Sequence, residues 1–283
     1  MKKQILKGNQ TLNLVGRILE KNQFAPDFKV VDKDLTEAGL LDFKDKLKLI
    51  TTFPSLDTPV CDLQIKEFNK KANEFSSDIV VIGISKDLPF AQKRFCESFS
   101  LSNIKLFSDY KYSSFGINYG LLIKELNLLA RSVIIIDKND VVRYIQIVNE
   151  LSSPPNYNEV FDNLTEIIKS PVSEIKQNIP KKCIPCEIGT PALPKSEVDR
   201  LLSLCPGWQL VDDKKITKEY KFKDFKEAKY FLDILALIAE EQGHHPTFTL
   251  IYNKLKITLT THASGGLTEN DFIMAQIIDE IVY

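Results

Sequence analysis

Hydrophobic and polar residues follow two different patterns along the first 170 residues of the chain. Dense apolar runs rich in β-branched residues predict buried strands over residues 46–53, 78–85, 132–137 and 141–148. Apolar residues at helical spacing predict helices over residues 58–75, 87–99 and 157–168. Strands that alternate with helices are typical of an α/β sheet with helices on its faces.

The alternation stops between Ser170 and Pro194, where five prolines interrupt any helix. We therefore predict a first domain over residues 1–170, a linker over residues 171–182 and a second domain over residues 183–283. Each predicted domain is longer than about 90 residues, which is enough for a hydrophobic core of its own.

The second domain shows a different order of elements: helix, two strands, helix, two strands and helix. The four predicted strands lie over residues 208–211, 216–222, 248–252 and 255–259. Ser196 and Thr268 are the predicted caps of the outer helices, and Gly243 fits the end of the central helix. The turn of the second strand pair is predicted at Asn253-Lys254. This order indicates an α+β domain with a four-stranded antiparallel sheet.

Composition narrows the functional classes. Lys plus Arg is 37 and Asp plus Glu is 38, so the net charge of -1 gives no reason to expect nucleic acid or an acidic membrane as a partner. No apolar run approaches the roughly 18 residues that span a bilayer, and the first residues lack the apolar core of a secretory signal. Five cysteines in 283 residues do not make a disulfide scaffold. We expect a cytoplasmic protein whose thiols are reactive, metal-binding or buried.

Cys61 lies where a strand pattern passes into a helix pattern. Pro59 suits the first helical position and Thr58 suits the N-cap, so Cys61 falls in the first turn. The backbone N–H groups and the positive end of the helix dipole favour a thiolate there, and the thiolate is the nucleophilic form of cysteine. Cys61 also lies on the apolar stripe of this helix, and a role in the core fits the spacing equally well.

Three segments of the first domain resemble thiol peroxidases, the atypical two-cysteine peroxiredoxins. They are PSLDTPVC at residues 54–61, DLPFAQKRFC at residues 87–96 and ELNLLARSV at residues 125–133. The resemblance covers roughly residues 5–168 and implies a thioredoxin-like fold that reduces hydroperoxides. It also implies a thioredoxin-like dithiol protein as the reductant, and no bound cofactor is expected.

The resemblance implies a role for five residues of the first domain. Cys61 matches the peroxidatic cysteine, which becomes a sulfenic acid, and Cys96 matches the resolving cysteine, which closes a disulfide with Cys61. Thr58 matches the threonine that hydrogen-bonds the thiolate and the peroxide, and Pro54 matches the proline that shields the pocket. Arg131 matches the arginine that stabilises the thiolate and orients the peroxide oxygens.

Plainer interpretations compete with these roles. Cys96 fits a partly buried structural cysteine, Arg131 fits a surface ion pair, and Thr58 fits a helix cap with or without a role at the sulfur. A general dithiol oxidoreductase is a further alternative for the domain. Such enzymes carry C-x-x-C at the helix start, whereas Asp-Leu-Gln at residues 62–64 follows Cys61.

All three histidines of the chain lie between residues 244 and 262. His244 and His245 follow the long helix, and His262 is predicted at the far end of the last strand, on the face opposite its apolar row. The hairpin would fold this strand end back beside His244 and His245, so that three imidazoles share one cleft. Unrelated histidines would be scattered along the chain. Three histidines suit zinc, whereas imidazoles without a metal suit proton transfer near neutral pH.

The arrangement E-x3-H-H-P-x5-Y-x9-H-x8-D, which runs through residues 240–271, resembles pterin-4a-carbinolamine dehydratases. The likeness covers about residues 183–281 and includes NKLKITLTTHASGGLTENDF at residues 253–272. It implies the dehydration of a 4a-hydroxytetrahydropterin substrate without a metal. By position, His244 and His262 would transfer protons and His245 would bind the pterin.

Glu240 and Asp271 match acidic positions of the same pattern, which implies that they bind substrate. Each has a plainer interpretation. Glu240 fits a solvated helix residue, and Asp271 follows Thr268 at the spacing of a capping-box acid.

The remaining cysteines carry a weaker signal. Cys183 and Cys186 form one C-x-x-C, which is half of a zinc site, and a redox pair or a structural role fits as well. Cys205 lies on an apolar helix stripe and is predicted to be a buried small hydrophobe.

The sequence therefore predicts a bifunctional enzyme, a thioredoxin-dependent peroxidase joined to a pterin dehydratase, and we expect a homo-oligomer. The alternative is a peroxidase whose second domain serves only in dimerisation or protein binding. The three histidines argue against the alternative, because a scaffold needs no imidazoles.

Overall fold

The computed structural model describes residues 4–169, 182–184 and 190–282. The chain divides into two compact units, and the boundary lies between Ile179 and Pro180. Most of the linker that the sequence predicts at residues 171–182 lies outside the described residues. No helix among the described residues is long and apolar enough to cross a membrane.

The first unit contains strands and helices in alternation. Its strands are β1 (Gln4–Lys7), β2 (Gln10–Arg17), β3 (Val30–Val31), β4 (Glu37–Ala38), β5 (Leu47–Thr52), β6 (Ile79–Ser85), β7 (Ile104–Ser108), β8 (Leu122–Ile123), β9 (Leu128–Leu129), β10 (Ser132–Ile136) and β11 (Val142–Ile147). Its helices are α1 (Pro59–Ala72), α2 (Pro89–Ser98), α3 (Ser114–Asn118) and α4 (Tyr157–Lys169). A 3-10 helix covers Leu40–Phe43. Every strand and helix that the hydrophobic pattern predicts in this unit is confirmed.

A seven-stranded sheet lies at the centre of the first unit, in the order β11-β10-β5-β6-β7-β3-β4. β5, β6 and β7 run parallel, and the other neighbours pair antiparallel. Leu49 and Ile50 of β5 belong to two different cores, because successive side chains point to opposite faces of a sheet. α1 and α4 cover the face to which Leu49 points. β1, β2, β8 and β9 pair in that order in a smaller sheet.

The second unit has the predicted order of elements. They are α5 (Lys195–Leu202), β12 (Gln209–Val211), β13 (Lys215–Lys221), α6 (Phe225–Gln242), β14 (Thr247–Ile251), β15 (Lys254–Leu259) and α7 (Glu269–Asp279). A short strand that the sequence did not predict, β16 (Ile281–Val282), follows α7. Four of the strands form an antiparallel sheet in the order β12-β13-β15-β14, which confirms the predicted fold class. Asp224 caps α6 by accepting a hydrogen bond from the Glu227 N–H, and Thr268 caps α7.

Two predicted boundaries in the second unit are wrong. α5 begins at Lys195 with Pro194 as its N-cap residue, so Ser196 lies inside the helix. The hairpin turn lies at Tyr252-Asn253, one residue earlier than predicted, because Ile251 pairs with Lys254. Tyr252 has a φ of 48°, and the common two-residue hairpin turns require such positive values.

Trp208 is the single tryptophan of the chain, and it lies in the second unit. Its side chain is 5% exposed. Its Nε1 donates a hydrogen bond of 3.1 Å to Asp279 at the end of α7. Lys218 and Tyr220 of β13 donate to the same carboxylate, so Asp279 connects the last helix with the sheet and with Trp208.

Two candidate active sites

Cys61 lies in the first turn of α1, in a fully buried position. β5 ends at Thr52, and a loop through the buried Pro54 leads to Pro59 at the first helical position. Thr58 is the N-cap residue, as predicted. Cys61 is also part of the core beneath α1 and α4, so it combines the two locations that the sequence left open.

The Thr58 hydroxyl is directed at the sulfur rather than at the backbone of the helix. Its Oγ1 lies 2.8 Å from Cys61 Sγ, and it makes no side-chain capping bond. The same oxygen lies 3.2 Å from the Ser55 carbonyl. A hydroxyl has one proton to donate. With a Cys61 thiol it can donate to the Ser55 carbonyl and accept from sulfur, and with a thiolate it can turn to donate to sulfur.

Arg131 is buried beside the same sulfur. It is 2% exposed, and its Nη2 lies 3.5 Å from Cys61 Sγ. Nη2 also donates to the Leu151 carbonyl at 3.0 Å, and Nη1 donates to the amide oxygen of Gln64. The interpretation of Arg131 as a surface ion pair is therefore wrong. The other hydrogen-bond partners of Arg131 among the described residues are neutral, so a negative charge on Cys61 would offset the cost of burying this cation.

Cys96 lies in the last turn of α2 and is about half buried. Burial raises the pKa of its thiol above the ordinary value, and the nearby Lys33 opposes this effect. Cys61 and Cys96 are both free thiols in this structure. Their side chains belong to the same apolar cluster. The predicted disulfide between them stays a prediction.

The sequence analysis missed three residues that hold this site together. Gln64 is fully buried one turn after Cys61, and its Nε2 donates to Thr51 Oγ1 at 2.5 Å. Its position three residues after Cys61 on the same helix face was a usable signal. Asp87 binds the loop before α1. Leu151 acts through its backbone carbonyl, for which no side-chain pattern exists.

The second candidate site starts where α6 ends. Gly243 has a φ of 63°, its N–H donates to the Glu240 carbonyl, and the His244 N–H donates to the Ala239 carbonyl. This is the Schellman arrangement, which glycine permits because it lacks a Cβ. It turns the chain out of the helix and places His244 directly after it.

His244 is bound to Asp271 by a hydrogen bond of 2.8 Å between Nε2 and Oδ1. His244 is 8% exposed and Asp271 is fully buried. The Thr261 hydroxyl and the Thr268 N–H donate to the other carboxylate oxygen at 2.8 Å each. A carboxylate only accepts, so Nε2 carries the proton and Nδ1 is the nitrogen that can take one. Asp271 thus holds His244 and also closes the capping box with Thr268, as its spacing predicted. Its implied role in substrate binding stays a prediction.

The other two histidines are exposed. His245 Nε2 lies 3.1 Å from the Glu240 carboxylate, with exposed side-chain fractions of 61% and 79%. The sequence predicted His262 at the end of the preceding strand, and this prediction is wrong. β15 ends at Leu259, and His262 begins a short 3-10 helix. Asp271 nevertheless binds both His244 and Thr261, the residue before His262.

The three histidines therefore lie near one end of the β14–β15 hairpin. Among the described residues, no hydrogen bond joins one imidazole to another. No cluster of three or more His, Cys, Asp or Glu side chains suited to a metal ion occurs in the part of the chain that the structure describes.

Two further cysteines lie in the second unit. Cys205 is buried, as predicted, but it lies beyond the end of α5 at Leu202 and not on that helix. Burial raises the pKa of its thiol to about 11. Cys183 is buried, and its Sγ lies 3.7 Å from the Asn270 carbonyl. Cys186, its partner in the C-x-x-C motif, lies outside the described residues.

Known proteins resemble both units. The profile of the redoxin family matches residues 20–161, and the profile of the pterin 4 alpha carbinolamine dehydratase family matches residues 191–281. The thiol peroxidase of Staphylococcus haemolyticus is 46% identical over 159 residues, which are 56% of this chain and 96% of that protein. A peroxiredoxin-like protein of known structure from Aquifex aeolicus is 41% identical, with a TM-score of 0.55 and coverage of 58% of this chain and 96% of its own. The thiol peroxidase from Chromobacterium violaceum, 24% identical with a TM-score of 0.54, covers 59% of this chain and 97% of its own and shares the fold.

Proposed function

Because the chain belongs to the redoxin family and carries a pterin-4a-carbinolamine dehydratase domain at residues 191–281, we propose that it catalyses two reactions. The first is the reduction of hydroperoxides at Cys61, with Cys96 as the resolving cysteine and a thioredoxin-like dithiol protein as the reductant. The second is the dehydration of 4a-hydroxytetrahydropterin at the histidine site. The protein's thiols and imidazoles carry both reactions, without a bound cofactor.

The convergence of Thr58 and Arg131 on Cys61 Sγ carries the peroxidase proposal. The Cys61 thiolate attacks one peroxide oxygen, the O–O bond breaks, and the other oxygen leaves as an alcohol or water after it takes a proton. Arg131 and Thr58 donate to the oxygens on which charge develops. Cys61 is then a sulfenic acid, Cys96 attacks its sulfur with loss of water, and a dithiol reduces the resulting disulfide.

The cysteine variants test this proposal separately from the second site. Cys61→Ser should abolish peroxide consumption and leave dehydration unchanged. Cys96→Ser should form one sulfenic acid per chain but fail to turn over with thioredoxin, and its Cys61 should overoxidise. Mass spectrometry of the Cys61 peptide distinguishes these states. Normal thioredoxin-coupled turnover in Cys96→Ser would contradict its resolving role.

The bond between buried His244 and Asp271 carries the dehydratase proposal. It fixes the proton on Nε2, so Nδ1 of His244 is suited to accept the ring-nitrogen proton of the substrate. His262 is the group proposed to protonate the departing 4a-hydroxyl, which leaves as water. His245 and Glu240, which pair at the exposed edge, are proposed to bind the pterin.

Single substitutions of the histidines test the second activity. His244→Ala and His262→Ala should each lower the dehydration rate by about 10²-fold, the size of a lost general acid or base. Peroxide consumption by the same samples is the internal control and should not change. Full dehydration rates in both variants, or no dehydration in the unmodified protein, would favour a dimerisation or protein-binding module.

A further inference from the structure

One carboxylate, that of Asp87, joins the two segments that carry the proposed redox cysteines. Asp87 follows β6 and lies just before α2, the helix of Cys96. Its Oδ1 accepts a hydrogen bond of 2.7 Å from Ser55 Oγ, and its Oδ2 accepts one of 2.9 Å from the Leu56 N–H. Both donors belong to the loop before α1, so Asp87 holds that loop from the other cysteine-bearing segment.

Asp87 is itself fixed by its surroundings. Ser85 Oγ donates to its Oδ2 at 2.8 Å, and its backbone carbonyl accepts from Ser108 Oγ. Ser85 Oγ in turn accepts from Gln92 Nε2 at 3.1 Å. Gln92, Ser85 and Ser108 are all fully buried. A carboxylate whose partner is buried and held by a further buried side chain, on a residue whose backbone is also bonded, has little freedom to move.

The loop connects Asp87 to the Cys61 sulfur through Ser55 and Thr58. The Ser55 carbonyl accepts from the Thr58 N–H at 3.2 Å and also lies 3.2 Å from the Thr58 hydroxyl. The same hydroxyl lies 2.8 Å from Cys61 Sγ. A displacement of Ser55 therefore moves the residue that donates to the sulfur.

We propose that Asp87 is a positioning residue for Cys61 and acts through Ser55 and Thr58. Its carboxylate holds the loop so that the Thr58 hydroxyl meets the sulfur, and it does so without touching the reacting atoms. This inference rests on the proposed peroxidase function. It implies that the rate of Cys61 oxidation depends partly on Asp87, a residue just before the helix that carries Cys96.

The first measurement is independent of peroxide. Hydrogen–deuterium exchange of the peptide that covers residues 54–60 is compared in the unmodified protein, Asp87→Ala and Asp57→Ala. Asp57 is an exposed carboxylate of the same loop and is the matched control. We expect exchange about tenfold faster in Asp87→Ala and unchanged in Asp57→Ala, because only Asp87 accepts from the Leu56 N–H. Unchanged exchange in Asp87→Ala would overturn the proposal even if the protein were not a peroxidase.

The second measurement is a double-mutant cycle on the oxidation of Cys61. The rate of sulfenic acid formation with hydrogen peroxide is measured in the unmodified protein, Asp87→Ala, Thr58→Val and the double variant. Asp87→Ala alone should lower the rate about tenfold, because the hydrogen bond between the Thr58 hydroxyl and the charged Cys61 sulfur would be weakened or lost. In a protein that already carries Thr58→Val, the Asp87→Ala substitution should lower the rate of sulfenic acid formation by less than about twofold. A full tenfold loss in that background would show that Asp87 does not act through Thr58.

Two further results complete the test. Ser55→Ala removes one bond to Asp87 and keeps the carboxylate, so it should lower the rate in the same direction by a smaller factor. It also covers the case in which Asp87→Ala fails to fold. An unaltered rate in a folded Ser55→Ala would contradict the route through Ser55. An unmodified protein that is inert to peroxide would contradict the proposed function, and the exchange comparison would still decide whether Asp87 holds the loop.

Discussion

Arg131 is a buried guanidinium whose hydrogen bonds depend on its planar shape. It donates to Gln64 and Leu151 while one amino group faces Cys61. Lysine keeps the charge but is a point donor and cannot reproduce the fork. We expect Arg131→Lys to lower the rate of Cys61 oxidation by about 10- to 100-fold in a rapid-quench assay, because a charge-assisted bond is lost or displaced.

Arg143 offers a matched control for this prediction. It is also buried, at 8% exposed, but it pairs with Asp137 at the opposite end of β10. Arg143→Lys should therefore leave the oxidation of Cys61 unchanged. Equal losses in the two variants would indicate a general destabilisation of the unit and not a role of Arg131 at the sulfur.

The environment of Cys96 predicts a pH dependence for the second step of the proposed peroxidase cycle, the formation of the disulfide. Burial raises the pKa of this thiol, and only its thiolate attacks a sulfenic acid. Below that raised pKa, the thiolate fraction grows about tenfold for each pH unit. The rate of disulfide formation after one equivalent of peroxide should therefore rise about tenfold per unit between pH 6 and pH 8. A flat profile in rapid-quench mass spectrometry would exclude the Cys96 thiolate as the attacking group.

The sequence identified the side chains that meet at the sulfur but not those that hold them. Thr58, Pro59 and Cys61 are neighbours in the chain, so their joint position follows from helix-start preferences. Arg131, which immediately precedes β10, lies 70 residues away in the chain and was identified only by resemblance. Leu151 accepts a hydrogen bond from Arg131 through its backbone oxygen. Every residue has such an oxygen, so the side chains in the sequence do not predict this contact.

At the scale of elements, an exposed cation–π contact links the end of α2 to α1, in addition to the apolar packing of Phe95 and Cys96. Lys66 Nζ lies 3.5 Å from the centre of the Phe99 ring and 2.7 Å from Asp62, the residue after Cys61. Phe99 follows α2 three residues after Cys96. Cys61 is fully buried, so the proposed disulfide with Cys96 would require local opening at the ends of the two helices.

We expect Phe99→Ala to accelerate the formation of the Cys61–Cys96 disulfide about two- to fivefold. This is the factor that corresponds to an exposed cation–π contact. Phe90→Ala is the control, since Phe90 is also exposed but lies at the other end of α2. Rapid acid quench with thiol alkylation measures the rate. Slower disulfide formation in Phe99→Ala would mean that the contact aligns Cys96 and does not restrain it.

The hydrophobic pattern predicted long elements better than short ones. β5, β6 and β10 are buried on both faces, and their continuous apolar runs gave a clear signal. β3, β4, β8 and β9 have two residues each, too few for a period to show. His262 lies in a turn and not in the strand that was predicted for it. Gly265, with a φ of 63°, closes this turn, in which Thr261 pairs with Gly266.

At the scale of the whole molecule, the two proposed reactions use residues of different compact units. We expect residues 1–175 and residues 182–283, produced as separate chains, to be soluble and to carry peroxidase and dehydratase activity respectively. Their kcat/KM values should lie within a few-fold of those of the intact chain, because each unit has buried apolar residues and a candidate site of its own. A fragment that precipitates or is inactive would contradict this independence.

The position of Trp208 makes the second unit distinguishable by light. It is the chain's only tryptophan, so fluorescence excited selectively at the indole comes from the second unit and not from the first. Its emission should shift to longer wavelength when water reaches the ring and the bond to Asp279 breaks. Backbone ellipticity, in contrast, records both units. Heating one unlabelled sample while both signals are followed should therefore resolve the melting of each unit inside the intact protein.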